Sequence, residues 1–182
     1  MTSERRKKFY DEIDRSPHAA ALGLRVEEIG VGEARISMPY DRKLIGEPAS
    51  GVIHGGAVSA LMDTTGGASV VSADEGVIAT ATLDLRIDYM RPATPGQAIT
   101  AHGVCYHITR LLAFVRITAT DEDTAHPVAS ATGTFTCAGD TCFGQRRVLE
   151  EPGAGVPVTG PAPWLGRHGV VARACVGQRQ AG

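Results

Sequence analysis

The sequence predicts an α+β layered fold in which a curved antiparallel sheet wraps one long central helix. Three observations predict it. No proline falls between Gly56 and about Ala73, which allows a helix of several turns. Four segments after it carry strand composition or strand alternation, and two more before it meet at a glycine-rich turn. A lone long helix among six strands buries its apolar surface by lying on the sheet they form.

The elements follow in order. Residues 4–15 suit a short amphipathic helix, with Phe9 and Ile13 at i, i+4 spacing and Pro17 ending it. Leu22 to Ile29 and Glu33 to Tyr40 read as a hairpin turning at Gly30-Val31-Gly32. Asp41 to Ile53, with Pro48, Gly46 and Gly51, reads as the loop into the central helix, which would fill the concave face with Ala57, Val58, Leu61 and Ala68. Thr82 to Tyr89 alternates polar and apolar through eight residues, as a strand with one buried face does. After a turn at Arg91 to Gly96, the segments Ala98 to Ile108, Leu111 to Thr120 and Val128 to Cys137 complete a four-strand meander.

The organisation this implies is an N-terminal helical segment over 1–17, one domain over 18–139 and an extension over 140–182. Glu151 to Pro163 holds too many Pro and Gly for a packed element, so the extension is expected to be disordered and mildly basic, with docking to another chain as the alternative. A net charge of −2 with mixed signs and few aromatics gives no footprint for nucleic acid. No run of about 18 apolar residues suggests a membrane span, and the charge-dense first fifteen residues lack the apolar stretch of a signal peptide. Cys105, Cys137, Cys142 and Cys175 show no C-x-x-C spacing, as expected of a reduced cytoplasmic protein.

The chemistry concentrates between Gly51 and Asp63. Two glycines after His54 open the central helix, where backbone N–H groups lack intrahelical partners and the helix end carries partial positive charge. That suits an oxygen which turns negative during reaction. Asp63 is the only acid between Gly56 and Ala73. An anion-stabilising pocket with a nearby carboxylate is equipment for attacking a carbonyl. The separation adds a constraint: eight residues from Gly55 to Asp63 is roughly 12 Å of helix, whereas reacting groups lie within about 3–3.5 Å of their target. Two helices from two subunits, running antiparallel, satisfy it. Ser59, Gly66 and Gly67, on the Asp63 face, are small enough to admit a neighbour.

Residues 22–138 resemble the hotdog-fold acyl-CoA thioesterases of the phenylacetate-degradation type. The resemblance is carried by Gly51-Val52-Ile53-His54-Gly55-Gly56, by Leu61-Met62-Asp63, and by the run from Thr82 through Tyr89-Met90-Arg91-Pro92-Ala93. It implies a hotdog fold, hydrolysis of the thioester between an acyl group and coenzyme A, no cofactor, and a homodimer paired into a dimer of dimers. By resemblance, Asp63 is the nucleophile or the base for water, and Gly55 polarises the carbonyl, with Gly56 beside it. His54 orders the loop and touches the carbonyl, and Thr82 helps hold the water. The family's Asn six or seven residues before the His is absent, since Pro48 and Glu47 stand there, and Glu47 or Ser50 is the candidate replacement.

Other readings carry less. His102 and His107, five apart in a strand, are expected on opposite faces, and His54 and Asp63 lack further ligands at a metal-binding spacing, so no metal site is expected. No G-x-S-x-G elbow suggests a serine nucleophile. Arg91 and Arg110, at strand ends, are candidates for coenzyme A phosphates, although exposed turn arginines are the commoner case. The rivals are a hotdog dehydratase acting on hydroxyacyl thioesters and a non-catalytic acyl-CoA sensor. Since the extension cannot bury enough apolar surface to offset its ordering entropy, a chain ending at Gly139 is expected to keep its oligomeric state, melting temperature and thiol release. Loss of solubility or activity in that chain would show that the extension docks.

Overall fold

The computed structural model describes residues 11, 13 and 16–139. The expected 4–15 helix lies outside these apart from Asp11 and Ile13, both helical, and the 140–182 extension lies outside them entirely. Pro17 also opens a helix of its own. The Ser16 side chain accepts the Ala19 N–H at 3.3 Å, and Pro17 takes the first position of α1 (Pro17–Leu22), where no N–H is needed. The first strand is shortened accordingly.

Strands β1 (Arg25–Ile29) and β2 (Glu33–Met38) form the expected hairpin. The segment expected as loop instead holds a 3₁₀ turn (Arg42–Leu44) and a small hairpin of β3 (Ile45–Glu47) and β4 (Val52–Ile53). Then come the central helix α2 (Gly55–Ala73), β5 (Thr82–Tyr89), β6 (Ile99–Ile108), β7 (Leu112–Thr120) and β8 (Ala129–Thr136). The main sheet is antiparallel in the order β1-β2-β6-β7-β8-β5. The meander is therefore β6 to β8 only. The hairpin adds to β6, and β5 sits at the far edge beside β8.

Helix α2 packs across the middle of this sheet, with Leu61, Met62 and Val70 fully buried alongside Ile36, Ile99, Val115, Ile117 and Phe135. The approach is close enough to require glycine on the sheet. A Cβ on Gly103 would lie 2.5 Å from Ser69 Oγ and 3.1 Å from Thr65 O. The buried hydroxyls at this contact cost little, because Thr65 donates to Leu61 O at 2.7 Å and Ser69 to Thr65 O at 2.9 Å.

Since the helix covers the sheet's middle, the apolar face of β5 is only partly covered. Leu85 and Ile87 are half-buried, while Leu83 and Tyr89 stay 60% and 50% exposed. A second departure concerns β6, where the register shifts between Cys105 and His107. His102 stands opposite Thr118 and His107 opposite Phe114, so the shift turns both histidines onto the outer face instead of opposite ones. Among the described residues no cluster of three metal-ligating side chains occurs.

After β5 the chain is tied down by Arg91. Its Nη1 and Nη2 donate to Asp121 Oδ2 and Oδ1 at 2.7 and 2.5 Å, and the remaining N–H groups reach the carbonyls of His126, Pro92 and Asp123. All five donors are thus used within the chain, and Arg91 lines the same cleft as Gly55. The guanidinium is the first cause, and the Thr94 and Asp123 amides add to it, in holding the Asp121 carboxyl far below its usual range. A depressed carboxylate stabilises the fold above its unfolded pKa, near 3.8, and that contribution fades as pH falls through the folded value. Asp121→Asn is expected to melt at least about 5 °C lower at pH 7, since it strands a largely buried guanidinium. The gap to wild type should narrow steadily below about pH 4 in a melting series. A gap independent of pH would show that the loss is steric.

Candidate active site

The start of α2 is fixed by His54. Its backbone is extended, its Nδ1 accepts the Gly56 N–H at 2.9 Å, and its own N–H donates to Leu44 O at 2.8 Å. A ring nitrogen that accepts an amide carries no proton, so the neutral imidazole holds its proton on Nε2. The small hairpin presses on the same residue: a Cβ on Gly46 would lie 2.8 Å from His54 Cα, so only glycine fits there. With the Gly56 N–H used by the cap, Gly55 is the glycine whose N–H, first in the helix, has no intrahelical partner. The expected pairing of Gly55 with Gly56 as binding residues thus divides into one donor and one cap.

Asp63 lies two turns further on, half-buried, and its Oδ1 accepts the Thr82 hydroxyl at 2.6 Å. Thr82 reaches it through a device that alternation hides. The β5–β8 register shifts between Thr82 and Asp84, so Leu83 is an extra residue and Thr82 stands opposite buried Phe135. Strict alternation would put Thr82 on the outer face with Asp84, Arg86 and Asp88. The bulge turns it toward the helix. Among the described residues Asp63 Oδ2 has no hydrogen-bond partner, and Asp63 belongs to no ion pair.

The other candidates sit elsewhere. The Glu47 carboxylate accepts the N–H groups of Ala49 and Ser50 at 3.2 and 3.1 Å, and Ser50 Oγ donates to Glu47 O at 3.3 Å. The Ser50 hydroxyl is the first cause, and the Ala49 and Ser50 amides add to it, in holding the Glu47 carboxyl below its ordinary value. Both residues are exposed and serve the tip of the small hairpin. Arg110 is exposed in the β6–β7 turn. Tyr89 is the residue that sequence reasoning missed. Its hydroxyl donates to Gly55 O at 2.7 Å and lies 2.6 Å from Ser59 Oγ. The signal was present, since the strand ends in Tyr-x-x-Pro-Ala, yet nothing in spacing shows that the tyrosine reaches the helix start.

Two clefts flank this helix start. One, of about 450 Å³, is lined by Val52, Ile53, Gly55, Val58, Tyr89 and Met90. The other, of about 380 Å³, is lined by His18, Lys43, Leu44, His54, Gly56 and Ala60. Gly55 lines the first cleft and Gly56 the second, so the helix start stands between them.

Residues 50–127 match the thioesterase superfamily. A Pseudomonas aeruginosa protein of known crystal structure is 37% identical, aligns over 72% of this chain and 98% of that one, and superposes with a TM-score of 0.66. The chain belongs to the thioesterase superfamily. Its fold is the hotdog, and membership places it among hydrolases of the thioester bond. A mutant form of the Thermus thermophilus phenylacetic acid degradation protein PaaI is 28% identical over 68% of this chain and all of that one, with a TM-score of 0.60. The medium/long-chain acyl-CoA thioesterase YigI of Salmonella typhimurium is 27% identical over 150 residues, 74% of this chain and 96% of its own length. A Halobacterium salinarum protein is 44% identical over 75 residues, and the chain spans half the length of that relative. No helix among the described residues of this thioesterase-superfamily member is long and apolar enough to cross a membrane.

Proposed function

We propose that the protein hydrolyses acyl-CoA thioesters to the free carboxylic acid and coenzyme A, with Asp63 as nucleophile or general base and the Gly55 N–H as oxyanion donor. The observation that carries this reading is the Asp63–Thr82 hydrogen bond, set on the helix whose first N–H belongs to Gly55. Thr82 fixes one carboxylate oxygen and leaves the other for the carbonyl carbon or for a water proton. Water adds to the carbonyl, the C–S bond breaks, and the proton taken from water passes to the departing thiolate. His54 and Gly56 keep the helix start in place, and the His54 Nε2–H is available to the substrate. Support for the coenzyme A ester comes from YigI, and support for the protein scaffold from PaaI.

The two halves of the site come from two subunits on this reading. Helix α2 begins at Gly55, so eight residues, roughly 12 Å, separate it from Asp63. The Asp63–Thr82 pair also lies at the β5 edge, whose outer side has no strand partner and whose apolar face is half open. A dimer formed across β5, and a dimer of such dimers, fits this edge. Widely spaced cysteines suit a reducing compartment, and we read the protein as cytoplasmic.

Asp63→Asn keeps the shape and the Thr82 contact but removes the charge, and is expected to lower kcat at least about 10²-fold with the fold intact. Near wild-type thiol release by the folded variant would falsify the assignment.

Mixing tests the shared site. In Gly55→Val the new side chain meets the Tyr89 ring, 3.4 Å from the Cβ position, and fills the carbonyl site. Co-refolding Gly55→Val with Asp63→Asn makes about half the dimers mixed, and each mixed dimer has one site with both wild-type groups. Activity is expected to rise to roughly a quarter of wild type, well above either parent. Parental activity after subunit exchange is verified by mass would mean that both groups act within one chain.

A further inference from the structure

The helix start is held by a chain of hydrogen bonds that begins outside the helix. The Tyr89 ring lies across Gly55, with its nearest ring atom 3.4 Å from where a Gly55 Cβ would be. Its hydroxyl is 2.7 Å from Gly55 O and 2.6 Å from Ser59 Oγ, while Ser59 Oγ is 3.1 Å from Gly55 O. Each hydroxyl has one proton. The shorter approach to Gly55 O is Tyr89's, so Tyr89 donates there and Ser59 donates to the Tyr89 oxygen. The peptide that accepts at Gly55 O donates at Gly56 N, and that N–H bonds His54 Nδ1 at 2.9 Å. Donation to a peptide carbonyl strengthens its N–H as a donor, so the links reinforce one another.

We infer that Tyr89, backed by Ser59, is a positioning residue that holds the His54 ring through the Gly55–Gly56 peptide, so that His54 presents Nε2–H to the substrate. The inference rests on the proposed thioesterase reaction for the use made of that N–H, and on geometry alone for the relay. His54 is exposed, and a free imidazole in water exchanges between both neutral tautomers. Something must bias it if one N–H is to be offered reliably. The Gly56 amide supplies that bias, and Tyr89 sets its strength. Among the described residues the Tyr89 hydroxyl has no polar partner besides Gly55 O and Ser59 Oγ. At 50% exposure and on the wall of the larger cleft, its packing contribution is small next to that of a core aromatic.

The test uses the full chain with ¹⁵N-labelled histidine, read by NMR at pH 8, where neutral imidazoles report their tautomer. His54→Asn assigns the signal among the six histidines. In wild type, Nδ1 of His54 is expected to be the bare nitrogen. In Tyr89→Phe, which keeps the ring, the Nδ1–H fraction of His54 should at least double while the other histidines stay put. With acyl-CoA substrates, kcat should fall by at least the share of Nε2–H that is lost, and further as the ring loses its fixed orientation, while KM changes by less than twofold in either direction. Ser59→Ala should shift both readouts the same way by a smaller amount. The double variant should exceed Tyr89→Phe, because Ser59 alone can turn to Gly55 O. An unmoved His54 tautomer in the double variant overturns the relay, whatever kcat does. A moved tautomer with unchanged kcat overturns the use of that N–H in the reaction. If the tyrosine variants fail to fold, the same two outcomes are read from Ser59→Ala. Wild-type protein that releases no thiol from any acyl-CoA defeats the proposed reaction instead, and leaves the tautomer result to decide the relay.

Discussion

Where α2 begins is the constraint on which the rest depends. A helix can start a residue earlier or later at small cost, and here it is prevented from doing so on three sides. The His54 ring takes the Gly56 amide, the β3–β4 hairpin lies against His54 through Gly46, and Tyr89 grips the Gly55 carbonyl. Moving the start by one residue would turn the free N–H by about 100° and slide Asp63 away from Thr82. The same start sets which residues meet the sheet. Leu61, Met62 and Val70 go inward, Thr65 and Ser69 pass over Gly103, and Asp63 emerges at the edge.

Two aspartates show how the fold separates a structural carboxylate from an available one. Asp121 has a fully buried side chain bound in parallel by Arg91 and by two backbone amides, so its oxygens are spent. Asp63 is half-buried and held by one neutral hydroxyl. A neutral donor orients a carboxylate through one oxygen and adds no opposing charge to it, and the other Asp63 oxygen has no partner among the described residues.

The helix, the six long strands and the Gly55–Asp63 separation were legible in the sequence because each depends on local periodicity or on counting along one element. Which strands pair was not. Thr82–Tyr89 reads as a strand whatever lies beside it, and nothing in its residues names β8 as the neighbour. The bulges were invisible for a related reason. Leu83 and Tyr106 look like regular members of alternating runs, yet each is an extra residue that reverses the facing of what lies beyond. One reversal brings Thr82 to Asp63, and the other puts His102 and His107 on one face. The contacts that hold Arg91 and Glu47 were not legible: one reaches Asp121, thirty residues away, and the other the hairpin's own amides. Ser16 before Pro17 was a readable cap; proline marks a first helical position as readily as an end.

The β5 edge adds one more constraint to the proposed dimer. If β5 pairs antiparallel with its own copy, and both helices lie on one face of the joined sheet, the twofold axis must pass through a residue and not between two. Centred on Arg86, the pairing sets Arg86 against itself and Asp84 against Asp88, all like charges on the outer face. Centred on Leu85 or on Ile87, it sets Arg86 against Asp84 or Asp88, two opposite-charge pairs in each case. Charge therefore favours the flanking registers over the central one. Counting the Leu83 bulge as one position, Thr82 then falls two residues from the partner's Tyr89 in either register, about 7 Å along the strand. Tyr89 is the residue that grips Gly55. In such a dimer the Gly55 and Asp63 that one helix keeps roughly 12 Å apart would approach each other from opposite sides of the edge, in either of the registers that the charges allow.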